Sequence, residues 1–95
     1  MPKTATLLFR ERIRELRRLR NWTQAEAAEV CGLGDKMFQQ YEAGIKTNPG
    51  LQTLEKISRG FGVEVHDLFA PELSATTAAA IRNSKAKSKR RRIAR

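Results

Sequence analysis

The sequence predicts a small all-α domain followed by a basic tail. Apolar residues recur every three or four positions in several short stretches, which is the periodicity of amphipathic helices. Residues that favour helix starts precede these stretches, and glycines follow them. The composition then changes after residue 73, where acidic residues no longer occur. The 95 residues leave room for one domain, and no apolar run is long enough to cross a membrane.

The first helix is predicted over residues 7–20. Phe9, Ile13, Leu16 and Leu19 are spaced by four, three and three positions, so they share one face. The other faces carry a set of arginines, namely Arg10, Arg12, Arg14, Arg17, Arg18 and Arg20. Residues 1–6 are predicted to be a mobile lead-in.

Two short helices follow in close succession. Thr23 and Glu26 have the spacing of a capping box, in which each side chain accepts a hydrogen bond from the other residue's backbone amide. The second helix therefore begins after Thr23, and Gly32 is expected to end it. A third helix is predicted over residues 35–43, with Gly34 as its N-cap.

The remaining elements are a fourth helix and a short fifth helix. Leu51, Leu54 and Ile57 define one face of the fourth helix, which is predicted to end at Gly60. The fifth helix is predicted over residues 65–69. The folded domain is therefore expected to span residues 7–73, and the tail residues 74–95.

The charge of the chain is concentrated in this tail. The net charge is +9, yet residues 1–73 hold eleven basic and ten acidic residues, whereas residues 74–95 hold eight basic residues and no acid. We expect the tail to be disordered in isolation, with a helical extension over residues 75–82 as the alternative. It can contact nucleic acid, bind another acidic partner including RNA, or only aid solubility. The expected nucleic-acid contacts of the tail are Lys85, Lys87, Lys89, Arg90, Arg91 and Arg92.

The second and third helices have the pattern of a helix-turn-helix. They are short and are joined by a three-residue turn that contains Gly32. In such a pair the later helix, here the third helix of the chain, enters the major groove of DNA, where its first residues contact base edges. The start of the earlier helix of the pair, here the second helix of the chain, directs unpaired amides and a positive dipole towards a phosphate.

The sequence resembles the phage-repressor family, also called Cro/C1 or Xre. The matching positions are residues 12–17, 23–28, Gly32, 41–44, Leu51, Leu54, Ile57, 62–63 and 67–69. The resemblance covers about residues 7–69 and implies a five-helix lambda-repressor-like domain. It also implies binding of a palindromic operator as a dimer. We expect that dimer to be weak and to use Val65, Leu68 and Phe69.

The resemblance also implies roles for individual residues. Gln24 takes the place of a residue that clamps a phosphate; the alternative is a solvated glutamine. The residues expected to contact bases are Asp35, Lys36, Met37 and Gln40, and those expected to contact the DNA backbone are Thr23, Gln24, Lys46, Thr47 and Asn48. Lysine donates to guanine, glutamine pairs with adenine and aspartate accepts from cytosine, whereas Met37 either meets a thymine methyl or packs. The alternative for the base-contacting set is an ordinary solvated helix face.

Arg17 and Glu42 match a family pair that forms a salt bridge between the first and third helices. We interpret this pair as structural.

Cys31 is expected to be a small core residue, since no histidine or other cysteine lies at metal-ligand spacing.

We expect neither a metal nor a cofactor, and no enzyme activity, because no catalytic set of residues is recognisable. The sequence therefore predicts a sequence-specific binder of double-stranded DNA that regulates transcription, as a repressor or autoregulator. Its expected location is the cytoplasm of a bacterial or phage-infected cell. One alternative is an antitoxin that uses its tail to bind a protein partner. Another is a non-specific nucleic-acid-binding protein.

Overall fold

The computed structural model describes residues 3–81, and this part of the chain is all-helical, as predicted. The helices are α1 (Ala5–Arg20), α2 (Gln24–Cys31), α3 (Asp35–Ala43), α4 (Leu51–Phe61) and a 3-10 helix (Val65–Leu68). A further helical stretch covers residues 75–81. The five predicted helices are thus present in the predicted order, and the fifth is a 3-10 helix.

Local capping sets the start of α1 and both ends of α2. The hydroxyl of Thr4 accepts a hydrogen bond from the amide of Leu7, so α1 begins at Ala5, two residues before the predicted start. Thr23 and Glu26 form both hydrogen bonds of the capping box at the start of α2. Gly32 ends α2 with a φ of 74°, a left-handed conformation that glycine adopts without steric cost.

The core lies between α1, α4 and the α2–α3 pair. Aromatic rings fill much of it: Trp22 stacks on Phe61 with ring centroids 5.7 Å apart, and Phe9 meets Tyr41 edge to face at 5.9 Å. The buried hydrophobic residues are Phe9, Ile13, Leu16, Trp22, Ala27, Ala28, Cys31, Phe38, Tyr41, Leu54, Ile57, Phe61, Leu68 and Ile81. The buried residues of α2 are small, namely Ala27, Ala28 and Cys31, whereas those of α3 are Phe38, Tyr41 and Glu42.

Two predictions about α4 were wrong. The helix does not end at Gly60 but continues to Phe61, and Gly62 supplies the left-handed end. Gly60 is instead a packing residue, because a Cβ built there would lie 2.7 Å from Cys31 Sγ and 2.8 Å from its Cα. Leu51 does not line the core, since it is 74% exposed. It is the first residue of α4, and the core begins one turn later at Leu54.

The helical extension proposed as an alternative for residues 75–82 is present over residues 75–81. Ile81 is buried and belongs to the hydrophobic core. Side chains of this stretch face Arg20 and the end of α4 at Gly62 and Val63. The packed structure therefore extends past residue 73. The basic residues predicted to contact nucleic acid from the tail lie outside the described residues.

A buried arginine links α1 to the 3-10 helix and to the residues that follow it. Arg12 donates hydrogen bonds to the carbonyl oxygens of Asp67 and Ala70, the latter at 2.8 Å. It also pairs with Glu15 at 2.8 Å. Its charge is thus surrounded by acceptors, which a buried guanidinium requires. This contact holds the C-terminal part of the domain against α1.

The contact between Gly60 and Cys31 yields a prediction. Intrinsic helix propensity alone makes Gly60→Ala stabilising by about 1 kcal/mol. We expect the opposite, a loss of about 1–3 kcal/mol in unfolding free energy, because the added methyl forces α2 away from α4. Urea unfolding followed by circular dichroism measures the change. An increase in stability would contradict the packing described for this contact.

Candidate nucleic-acid interface

The sequence of α3 separates its inner from its outer face. Phe38 and Tyr41 are buried, whereas Asp35 and Lys36 are exposed in the first turn. Met37 and Gln40 are half-buried. The residues predicted to contact bases therefore all keep some surface accessible at the start and the middle of α3. Met37 also packs against the hydrophobic core.

The loop after α3 presents a short polar segment. Lys46, Thr47 and Asn48 are exposed, as their predicted role requires. The backbone amides of Ile45 and Lys46 both donate to the carbonyl oxygen of Gln40, at 2.9 and 3.1 Å. Those two amides are therefore engaged within the chain, so a phosphate here would rely on the side chains and on later amides.

A buried carboxylate joins three helices behind this surface. Glu42 of α3 has a side chain only 2% exposed. Its Oε2 accepts hydrogen bonds from Arg17 Nε at 3.1 Å and from Arg17 Nη2 at 2.9 Å. Arg17 also donates to the carbonyl of Trp22 at 3.1 Å. The salt bridge predicted between Arg17 and Glu42 is therefore present, and it links α1 to α3.

Gln24, at the start of α2, belongs to the same cluster. Its Nε2 donates to Glu42 Oε1 at 2.7 Å. The sequence indicated a phosphate clamp or a solvated glutamine for this residue, and neither interpretation included a bond to Glu42. A carboxamide nitrogen carries two hydrogens, so this bond leaves one N–H for another acceptor.

Arg14 is the residue of this region that sequence reasoning did not single out. Its Nε lies 3.6 Å from Glu42 Oε2, and its Nη2 lies 3.5 Å from the Glu42 carbonyl oxygen. The available signal was its spacing of three from Arg17, which places both arginines on one side of α1. We call Arg14, Arg17, Gln24 and Glu42 the carboxylate cluster.

The surface predicted for dimerisation is only partly accessible. Leu68 is 0% exposed and belongs to the core, so it cannot contact a second chain in this structure. The ring of Phe69 stacks on that of Phe9 with centroids 5.9 Å apart, and Val65 is half-buried. The 3-10 helix turns its leucine inward to close the core, which the sequence pattern of this short element did not show.

The described residues also bear on metal binding, thiol chemistry and membrane insertion. Among residues 3–81, no group of three or more His, Cys, Asp or Glu side chains is arranged to hold a metal ion. The thiol of Cys31 is buried, and burial raises its pKa to about 12. No described helix is both long enough and apolar enough to span a membrane.

Comparison with known proteins identifies a family. The helix-turn-helix family model matches residues 13–68. The HTH-type transcriptional regulator SinR of Bacillus subtilis is 34% identical over 59 residues, which cover 62% of this chain and 53% of SinR. The cryptic phage CTXphi transcriptional repressor RstR of Vibrio cholerae is 35% identical over 63 residues, which cover 66% and 56%.

A third relative is the HTH-type transcriptional regulator DdrOP3 of Deinococcus deserti, 36% identical over 59 residues that cover 62% of this chain and 45% of DdrOP3. The chain thus spans about half the length of these curated relatives. No solved structure matches the chain significantly.

The buried ion pair yields a second prediction. Arg17→Met alone or Glu42→Leu alone should lower the unfolding free energy by up to about 3–5 kcal/mol. The first substitution leaves Glu42 with only the long contact of Arg14 and the hydrogen bond from Gln24, and the second leaves Arg17 without its carboxylate. The double substitution Arg17→Met/Glu42→Leu should be better tolerated than either single one. Chemical denaturation of the four proteins tests this. A double variant whose loss equals the sum of the two single losses would show that the pair is not coupled.

Proposed function

Because this chain belongs to the helix-turn-helix family, we propose that it is a transcription regulator that binds double-stranded DNA in a sequence-specific manner. The names of its relatives support this, since SinR and DdrOP3 are called transcriptional regulators. RstR is called a transcriptional repressor, and a repressor or autoregulator is the specific role proposed here. The protein would then act in the cytoplasm of a bacterium or phage-infected cell.

One observation carries this proposal: the polar residues Asp35 and Lys36 at the start of α3 are exposed, while the opposite face of α3 is buried. A helix supported in this way can enter the major groove. Lys36 then donates to guanine O6 or N7, and Gln40 pairs with adenine. Asp35 accepts from cytosine N4, and Met37 lies where a thymine methyl can meet it.

The proposed backbone contacts flank this helix. Thr23 and Gln24 lie at the start of α2, whose positive dipole end favours a phosphate. Lys46, Thr47 and Asn48 occupy the exposed loop after α3.

Residues 3–81 hold eleven basic and ten acidic residues, so their net charge is only +1. Much of the salt-dependent affinity is therefore assigned to the basic residues from position 82 onwards.

The proposed regulator binds as a weak dimer. Since Leu68 is buried, the contact relies on the accessible parts of Val65 and Phe69. A palindromic operator would then present two half-sites about one helical turn apart.

Selection from random duplex DNA with the full-length protein tests the proposal. Enrichment of an inverted repeat supports a dimeric, sequence-specific regulator. Equal binding of all sequences would instead favour a non-specific nucleic-acid-binding protein. Failure to bind duplex DNA, together with co-purification of a second small protein, would favour the antitoxin alternative.

The role of α3 yields a third prediction. Lys36→Ala and Gln40→Ala should each remove preference at one or two positions of the enriched repeat, with a cost of about 1–3 kcal/mol for the preferred base. Repeating the selection with each variant measures this. Gln39→Ala is the matched control, because Gln39 is exposed on α3 but is not among the proposed base contacts. Unchanged preferences in both variants would place base recognition elsewhere.

The basic residues of the tail yield a fourth prediction. Replacing Lys89, Arg90, Arg91 and Arg92 by glutamine should make the dependence of log K on log salt less steep by up to about 3.6, at about 0.9 per phosphate contact. Fluorescence anisotropy at several salt concentrations measures the slope. The double variant Lys56→Gln/Arg59→Gln on exposed α4 positions is the control for lost charge. An unchanged slope in the quadruple variant would show that these four residues do not contact DNA phosphates.

A further inference from the structure

The carboxylate cluster holds more positive charge than its single acid neutralises. Glu42 is the one acidic member, and two guanidinium groups, those of Arg14 and Arg17, lie against it. Both of its oxygens are engaged: Oε2 by the arginines, and Oε1 by Gln24. The cluster therefore has a net charge of +1, and its remaining hydrogen-bonding capacity consists largely of donors.

The two arginines are engaged to very different degrees. Arg17 uses Nε and Nη2 on the carboxylate and Nη1 on the Trp22 carbonyl, and its side chain is 20% exposed. Arg14 makes only long contacts with Glu42, at 3.5 and 3.6 Å, and its side chain is 45% exposed. Since a guanidinium carries five N–H donors, Arg14 retains donors that face solvent.

Gln24 brings a second donor to the same place. Its bond to Glu42 Oε1 fixes which way the carboxamide nitrogen points, and this nitrogen keeps one further N–H. Arg14 approaches the other oxygen of the same carboxylate, so both donor groups border one carboxylate. Gln24 is also the first residue of α2, where the helix dipole adds positive potential.

We propose that Arg14 and Gln24 together bind one phosphate of the DNA backbone, and that Glu42 positions both donors. This inference rests on the proposed DNA binding and extends its surface from α2 on to α1. A phosphodiester suits the site, because it is an anion with several acceptor oxygens and can take hydrogen bonds from both groups at once. Arg17 is a structural member of the cluster and Arg14 is its ligand-binding cation.

The first experiment measures the salt dependence of DNA binding by Arg14→Gln and by the charge-matched control Arg59→Gln. Arg59 is exposed at the far end of α4 and lies outside the proposed interface. The probe is a fluorescein-labelled duplex carrying the repeat enriched by selection, with a random-sequence duplex as second probe. Arg14→Gln should weaken binding to both duplexes alike and make the slope less steep by about 0.9. Arg59→Gln should leave the slope unchanged.

The second experiment tests whether Glu42 acts through Gln24. Gln24→Ala should weaken binding roughly tenfold, with little change of slope because glutamine is neutral. In a Glu42→Gln background the same Gln24→Ala substitution should weaken binding by less than about threefold, since Arg17 and Gln24 then compete for one acceptor oxygen and Gln24 is held less firmly. Thermal unfolding confirms that each variant is folded at the temperature of measurement. The Arg14 experiment does not depend on how well Glu42→Gln folds.

The outcomes separate this inference from the proposed function. If the wild-type protein binds neither duplex, the proposed function fails and this inference fails with it. If the wild type binds but Arg14→Gln behaves like Arg59→Gln, DNA binding stands and the Arg14 phosphate contact is wrong. If Gln24→Ala has the same effect with and without Glu42→Gln, the positioning role of Glu42 is wrong.

Discussion

The buried carboxylate of Glu42 is the contact on which the proposed DNA-facing surface depends. It belongs to α3, yet its partners come from α1 and α2, so three helices meet at one charge. An unpaired charge in this position would be costly, because the surrounding side chains exclude water. The helices therefore cannot shift relative to one another without losing bonds that the carboxylate requires. This fixes the start of α2 relative to the exposed face of α3.

Hydrophobic packing and the carboxylate cluster have different tasks in this domain. The aromatic core built around Phe38 and Phe61 holds the helices together through contacts that are not directional. Small residues, Ala27 and Ala28, let α2 lie close to its neighbours. The hydrogen bonds to Glu42 add directional contacts between α1, α2 and α3. A DNA-binding surface needs this precision, because base contacts depend on where a helix sits in the groove.

Sequence reasoning succeeded where the determinants are local. The bounds of α3 were predicted to the residue, since Gly34 and Gly44 mark its two ends through their own backbone conformations. It failed where a distant residue decides the outcome. Gly60 looks like a helix stop in the sequence, and only the approach of Cys31 explains its presence inside α4. The burial of Ile81 likewise depends on a surface formed far away along the chain.

In the candidate site, too, local features could be predicted from the sequence and contacts between distant residues could not. The exposure of Asp35 and Lys36 follows from the helical periodicity of α3, whereas the bond between Gln24 and Glu42 depends on side-chain rotamers that no sequence pattern encodes. Arg14 could not be separated from the other arginines of α1, because its neighbours are set by the way α1 crosses α3.

We propose that the start of α2, the exposed face of α3 and the following loop form one DNA-facing surface. The most direct test is to titrate the full-length, ¹⁵N-labelled protein with the duplex enriched by selection and to follow the backbone amide shifts by NMR. The shifts should concentrate at residues 23–26, 35–40 and 46–48. Shifts confined to residues 82–95, or spread over α4 with α3 unaffected, would contradict this claim.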